Sequence, residues 1–351
     1  MSIARLTLKN FRCFKSAVFN FSSPVTIIQG DNGSGKTTLL EALHYGCHLR
    51  SFRTHIPLEL VADQGEYPGF NIQIATDQDE ITIGVEGKKR SIKINGSAAA
   101  DYHDLIARYK VVTFIEDDLN CIKGYPEARR ALIDQALSVQ DQVYYGLLRK
   151  ARKIVDQRTK ILQDIPFHEE QYRLWTQELL QVNRIILEHR HRYIKELNNQ
   201  IAELTHLYGT QDFLRLEYRQ KRTIETLQDR ALLLHDELRV KRSLYGFHLD
   251  DIEFIVYDRN SRTFASRGQQ KLALMFLKVA QARLLARSEQ PDEKLVFLID
   301  DFLTDFDMLR IQKLLSLIFE LRVQLIITVP QRHDQLYSLC SERGNLNLIT
   351  L

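Results

Sequence analysis

The chain has 351 residues, enough to bury a large core and to form two subdomains. Hydrophobic residues make up 44% and charged residues 26%, which excludes a disordered polyelectrolyte and fits an ordinary globular protein. The net charge of +3 is too small to identify a polyanionic partner, so a nucleic-acid contact must be argued from where the charge lies. No apolar run reaches bilayer-spanning length, and Met1-Ser2-Ile3-Ala4-Arg5-Leu6 alternates like a strand and lacks the apolar block of a signal peptide. Cys13, Cys47, Cys121 and Cys340 are scattered without a C-x-x-C pair, which predicts free thiols in a reducing, cytoplasmic setting without membrane association.

The chain up to about residue 112 reads as strand-rich. Val25-Thr26-Ile27-Ile28 is a short β-branched run of the kind that forms a buried strand, and it leads into Gly30-Asp31-Asn32-Gly33-Ser34-Gly35-Lys36-Thr37. This octet fits G-x-x-x-x-G-K-[ST], the Walker A loop. Thr38-Leu39-Leu40-Glu41-Ala42-Leu43 then opens a helix. The glycines allow consecutive backbone N–H groups to face one anion, and the helix N-terminus adds partial positive charge. Lys36 is expected to reach the β- and γ-phosphates and the Thr37 hydroxyl to ligate Mg²⁺, with Thr38 completing the loop. The implied ligand is ATP. Phe70–Ile74 and Ile81–Val85 alternate as antiparallel strands, followed by a turn at Glu86-Gly87-Lys88-Lys89, a strand at Ser91–Ile94 and a hairpin turn at Asn95-Gly96.

From about 126 to 245 the chain is charged and helical, with apolar residues such as Ile185, Leu187, Ile194, Leu197, Ile201 and Leu204 at helical spacing. Gly146, Pro166 and Gly209 punctuate it and no apolar heptad persists, so a compact bundle is expected and not a long coiled coil. Its densest basic run is Arg149, Lys150, Arg152, Lys153, Arg158 and Lys160, opposed only by Asp156. On one helix Arg149, Arg152, Lys153 and Lys160 share a face, which is either solvated or lies against phosphates. His103, His168, His189 and His191 lack metal-ligand spacing and read as surface or core histidines.

The last block returns to α/β character. Leu295-Val296-Phe297-Leu298-Ile299 is a central parallel strand by its unbroken apolar run, and Asp300-Asp301 emerge at its carboxyl end, where open α/β sheets bind ligands. Asp300 is the expected Mg²⁺ partner and Asp301 the residue that orients or deprotonates the attacking water. Ser266-Arg267-Gly268-Gln269-Gln270-Lys271 opens an apolar-periodic helix about thirty residues earlier. By itself Ser266 would be a helix cap. At this spacing the segment resembles the signature motif of ABC-type ATPases, which implies that Ser266, Gly268 and Gln269 close over the γ-phosphate of an opposite subunit. Thr304-Asp305-Phe306-Asp307 resembles the D-loop, and Leu325-Ile326-Ile327-Thr328 resembles the last core strand, the one leading to the switch region.

Together these residues resemble the RecF family, related to SMC proteins. Leu6–Arg12, Arg50-Ser51-Phe52-Arg53-Thr54, Asp117-Asp118-Leu119, Lys123-Gly124, Pro126, Arg129-Arg130 through Asp134, and Arg149 to Lys160 carry the resemblance alongside the ATPase motifs. The chain departs from the family pattern at Glu116 (usually proline), at Tyr125 (usually small), in Gly246-Phe247-His248-Leu249-Asp250-Asp251 (usually Gly-Pro-His-Arg-Asp-Asp) and in the D-loop (usually Ser-Glu-Leu-Asp).

The resemblance implies an ABC-type P-loop ATPase core of α/β class with an antiparallel β subdomain and an inserted helical lobe. The expected division is an ATPase lobe over 1–112, a helical lobe over 113–288 that includes the signature, and the rest of the ATPase lobe over 289–351. It further implies an ATP-dependent homodimer that binds double-stranded and gapped DNA through Arg149, Lys150, Arg152, Lys153 and Lys160. Such a dimer would act in recombinational repair with RecR, RecO and indirectly RecA, through weak, DNA-stimulated ATP hydrolysis. A transporter-type ATPase subunit, the ATPase module of a phage-defence nuclease and a family member that binds ATP without useful turnover remain open on the sequence alone.

Overall fold

The computed structural model describes residues 2–62, 68–87, 89–99, 109–286, 295–301, 305–321, 323–331, 333–342 and 344–351. Lys88, His103 and Thr304, each named above, lie outside them. The chain divides into two units: Met1–Asp118 with Leu274–Leu351, and Leu119–Ala273. The boundaries therefore fall later than residue 112 and earlier than residue 288, because the helix Arg267–Ala286 passes from the second unit to the first after Ala273.

The first unit holds two sheets. One is antiparallel, in the order β2-β1-β4-β5-β6-β7, with β1 (Ile3–Phe11), β2 (Phe14–Asn20), β4 (Gly69–Thr76), β5 (Glu80–Glu86), β6 (Lys89–Ile94) and β7 (Ser97–Ala98). Its alternating strands behave as their pattern demands: Ile72 and Ile74 on β4 and Ile81 and Ile83 on β5 are fully buried, with polar neighbours facing out. Asn95 and Gly96 both take positive φ, 52° and 79°, as a tight two-residue hairpin turn requires.

The other sheet is wholly parallel, in the order β14-β3-β13-β12-β8, with β3 (Val25–Gln29), β8 (Val111–Phe114), β12 (Val296–Ile299), β13 (Gln324–Val329) and β14 (Leu346–Thr350). β12 is buried along its whole length between two partners, as its apolar run predicted. The strand at Leu325–Thr328 is not the last core strand, however. A helix at Asp334–Ser341 and β14 follow it, and β14 pairs with the outer edge of β3. As an edge strand β14 is only half-buried, so Leu346-Asn347-Leu348-Ile349 carries no continuous apolar signal.

Helix α1 (Lys36–His48) packs against both sheets, and every residue in it except Thr37 is buried. Leu39, Leu40 and Leu43 join the core built from β1, β4, β12 and β13, each contributing about 1.5–3 kcal/mol by burial. Among the polar side chains that the helix buries, Glu41, His44 and His48 each have a partner. Glu41 accepts from Arg12 at 3.0 and 3.1 Å and from the Ser51 hydroxyl. His44 Nδ1 lies 2.8 Å from Thr113 Oγ1, and His48 Nε2 lies 3.0 Å from the Val111 carbonyl oxygen.

The second unit contains a three-stranded sheet, β11-β10-β9 (β9 Leu214–Arg219, β10 Asp251–Val256, β11 Arg259–Asn260), packed with helices. The main helices are α2 (Pro126–Gln140), α3 (Gln142–Gln163), α4 (Glu169–Tyr208) and α5 (Leu227–Val240). Gly146 does not interrupt α3, and α4 runs unbroken for 40 residues, about 60 Å. Its buried positions Tyr172, Thr176, Leu179, Asn183, Ile186, Arg190, Tyr193, Leu197, Gln200 and Leu204 follow an alternating four-and-three spacing. A heptad therefore does persist, in burial. The apolar pattern hides it because Thr176, Asn183, Arg190 and Gln200 occupy seam positions. This seam faces α3 and β9 of the same chain, and no long coiled coil forms.

Burial holds the His44 imidazole well below its ordinary pKa and lowers His48 to about 4, with Arg50 and Lys278 adding repulsion against a charged ring. Both groups are neutral when folded but protonate more readily when unfolded. Their stability contribution is complete above pH 6.5 and is lost as pH falls toward about 4. Urea melts should show the midpoint falling between pH 6.5 and 4.5, and a His44→Leu/His48→Leu variant should flatten that slope.

Candidate nucleotide-binding site

The loop from Gly30 to Gly35 joins the end of β3 to α1. Gly33 and Gly35 stand at φ 85° and 103°, in the left-handed region where a side chain is strained. A Cβ on Gly35 would also lie 2.8 Å from the Phe14 ring and 2.9 Å from Cys13 Sγ, so this turn is tight from outside as well. Ser34 Oγ is buried and has no hydrogen-bond partner among the described residues, a donor available to an anion seated at the helix N-terminus. Lys36 Nζ donates to the carbonyls of Gly30 at 2.7 Å and Asp31 at 2.9 Å, which folds the ammonium over the loop.

Across 263 residues of sequence, Thr37 Oγ1 donates to Asp300 Oδ2 at 2.8 Å. The other carboxylate oxygen, Asp300 Oδ1, accepts from Thr328 Oγ1 at 2.6 Å, and Thr328 Oγ1 in turn accepts from the Asp301 backbone N–H at 2.9 Å. The strand registers place these groups together: Ile299 lies beside Ile327 and Thr328 beside Ile28, so Asp300, Thr328 and the start of the loop sit at one level. Burial raises the Asp300 carboxyl above its ordinary pKa and Asp301 adds to the rise, while the Thr328 and Thr37 hydroxyls and the Arg53 cation oppose it. A hydroxyl and a carboxylate at this separation form a hard oxygen donor set of the kind that suits Mg²⁺. Asp301 takes φ 46°, an uncommon conformation for a non-glycine residue.

The structure thus gathers the Walker A residues with Asp300 and Asp301 in the first unit. Sequence reasoning assigned no role to Thr328 or Arg53. The signal for Thr328 was a single hydroxyl within the otherwise apolar run Leu325-Ile326-Ile327-Thr328-Val329, next to the aspartate strand. The Arg53 guanidinium lies 3.8 Å from buried Glu41.

The signature segment belongs to the second unit up to Ala273. Ser266 caps helix α6 (Arg267–Ala286) reciprocally: the Gln269 N–H donates to Ser266 Oγ at 3.3 Å, and the Ser266 N–H donates to Gln269 Oε1 at 2.8 Å. Asp307, in the segment that resembles a D-loop, caps α7 (Met308–Phe319) by accepting from the Arg310 N–H.

The basic run on α3 divides. Arg149, Lys150, Arg152, Lys153 and Lys160 are exposed, with Lys150 Nζ 2.9 Å from Glu178. Arg158 does not share that face. It is fully buried, ion-paired with equally buried Glu237 at 2.8 Å, and hydrogen-bonded to Tyr172, Thr176 and Ser243. Its place seven residues after buried Ala151 put it on the inner stripe. The charged residues from Arg129 to Asp134 are likewise internal fasteners: Arg129 grips both Asp251 oxygens, Arg130 donates to the Asp250 carbonyl, and Asp134 holds Arg190. The divergent segment from Gly246 to Asp251 is held by these same bonds, with the Phe247 carbonyl accepting from Arg190 and its N–H donating to Asn183 Oδ1. Among the histidines, His189 Nδ1 lies 3.0 Å from Asp141 and His191 packs edge-on against Tyr218.

A family model described as "AAA domain" matches residues 5–241. The DNA replication and repair protein RecF of Clostridioides difficile is 30% identical over 90% of this chain and 88% of its own length. The RecF of Chlorobium phaeobacteroides is 30% identical over 95% of this chain and 96% of its own. The chain belongs to the RecF family. Among solved structures, the recombination mediator protein RecF with ATP superimposes with a TM-score of 0.81 at 26% identity, covering 95% of this chain and 93% of that one. An SMC head bound to the C-terminal winged helix of ScpA matches with a TM-score of 0.52 at 17% identity, a likeness of fold alone. These relatives favour the RecF reading over a transporter subunit or a phage-defence nuclease module. No helix among the described residues is long and apolar enough to cross a membrane.

Replacing Arg158 by Met should cost about 3–5 kcal/mol in a denaturant melt, because Glu237 would be left buried without its cation. Arg149→Gln or Lys153→Gln should change stability by less than about 0.5 kcal/mol.

Proposed function

We propose that this chain is an ATP-gated DNA-binding protein of recombinational repair and replication restart, acting in the cytoplasm. The observation that carries the reading is the 2.8 Å bond between Thr37 and Asp300, which in a RecF-family chain supports a site where the loop would hold phosphate and the carboxylate a metal ion. ATP would lie along Gly30 to Thr38, with Lys36 on its terminal phosphates. Thr37 and Asp300 would hold Mg²⁺, whose charge supports the transferring phosphoryl group. Asp301 would orient the attacking water.

ATP in this scheme is a ligand that favours one assembly through differential affinity. Two protomers join head to tail, and the Ser266, Gly268 and Gln269 loop of each covers the nucleotide of the other. The helix-capping bonds of Ser266 and Gln269 leave that helix N-terminus formed before the partner arrives. Arg149, Arg152, Lys153 and Lys160, with Lys150 beside them, would meet DNA phosphates at a gap or lesion without reading base sequence. Slow, DNA-stimulated hydrolysis then opens the dimer. Family resemblance supplies RecR and RecO as partners and RecA as the recombinase whose loading is assisted.

Sedimentation with ATP, with ADP and with ATP plus a short gapped duplex tests the reading. The expected result is a dimer with ATP that is strengthened by the duplex, and Lys36→Ala should lose ATP-dependent dimerisation and DNA retention together. Unchanged dimerisation of the Lys36→Ala protein would overturn the clamp.

A further inference from the structure

We infer that Thr328 is the positioning residue of the nucleotide site: its hydroxyl sets the rotamer of the metal-binding Asp300 carboxylate and, through the Asp301 N–H, fixes where Asp301 stands. The inference deepens the proposed function and rests on it for the identity of the ligand. Its geometry is independent. Thr328 is fully buried at the penultimate position of β13, one residue beyond the Ile299–Ile327 pair, and so level with Asp300 in the parallel ladder. From there one hydroxyl makes two directional bonds. It donates to Asp300 Oδ1 at 2.6 Å and accepts from the Asp301 N–H at 2.9 Å.

The two bonds do different work. Asp300 Oδ2 is already engaged by Thr37, the residue that would hold the metal with it. Holding Oδ1 from the opposite side stops the carboxylate rotating about its terminal torsion, which is otherwise broad and two-fold. The Asp301 N–H bond anchors that residue at φ 46°, in the left-handed region that aspartate adopts more readily than most side chains. Outer residues of this kind commonly alter metal affinity or turnover by about 10–100-fold when their hydrogen bond is removed. Threonine fits because its neighbours on β13, Leu325-Ile326-Ile327 and Val329, are apolar and buried. The methyl packs as valine would, and the hydroxyl alone carries the function.

Thr328→Val keeps the shape and removes the hydroxyl, and Thr328→Ser keeps the hydroxyl and removes the methyl. Binding of a fluorescent ATP analogue would be measured with and without Mg²⁺, alongside ATP turnover and thermal melting. For Thr328→Val, Mg²⁺-free binding should stay within about twofold of the unsubstituted protein, while the Mg²⁺-dependent gain and kcat each fall about tenfold or more, with KM little changed. Thr328→Ser should recover most of both. If Thr328→Val matches the unsubstituted protein, or if valine and serine are equally impaired, the hydroxyl has no positioning role and the inference falls. Should the unsubstituted protein bind the analogue without turning over ATP, the Mg²⁺ response still decides Thr328, and only the hydrolysis step of the proposed function is lost.

Discussion

The nucleotide site depends on the parallel register of three neighbouring strands, β3, β13 and β12. β3 delivers the phosphate loop, β12 delivers Asp300 and Asp301, and β13 between them delivers Thr328. Side chains alternate faces along a strand, so a slip of one residue between β12 and β13 would turn Asp300 and Thr328 away from each other, and one between β3 and β13 would displace both from the phosphate loop. Burial enforces the register, because all three strands are enclosed and each inward position must find an apolar neighbour. The polar bonds at the carboxyl ends then add direction to a placement that the hydrophobic effect has already made.

Helix α1 shows the other side of that bargain. A helix carrying a phosphate loop at its N-terminus must be rigid, and here it is buried on nearly every face. Its sequence is not apolar on every face, and Glu41, His44 and His48 are tolerated only because Arg12, Ser51, Thr113 and the Val111 carbonyl meet them. An unpartnered group at any of these positions would cost about 1–3 kcal/mol. The acid sensitivity expected of the fold has its origin here.

The second unit solves a similar problem with arginines. Arg158 and Arg190 lie inside the helical packing, each held by a buried carboxylate and a ring of hydroxyls. Such pairs add little net stability against an apolar alternative, but breaking one is expensive, so they penalise any misaligned packing of α3 on α4. The same polar seam explains why α4 was legible as helix but not as a 40-residue helix with a persistent heptad. Periodicity methods register hydrophobicity, and Asn183, Arg190 and Gln200 are buried without being hydrophobic.

The Walker A loop, the aspartate strand and the helix that opens after Ser266 could be read directly, since each depends on local backbone chemistry: glycines for positive φ, an unbroken apolar run for an enclosed parallel strand, a serine for a helix cap. The alternating strands of the antiparallel sheet were legible for the same reason. What sequence could not decide was which charges face solvent and which face inward. Arg149 and Arg158 are equally basic and stand on one helix, yet only the fold makes one a surface cation and the other a core fastener. Nor could it foresee that Thr328 would meet Asp300, or that β14 would close the edge of the sheet. Those outcomes depend on strand register and helix packing between segments far apart in the chain, and no local pattern of residues encodes such distances.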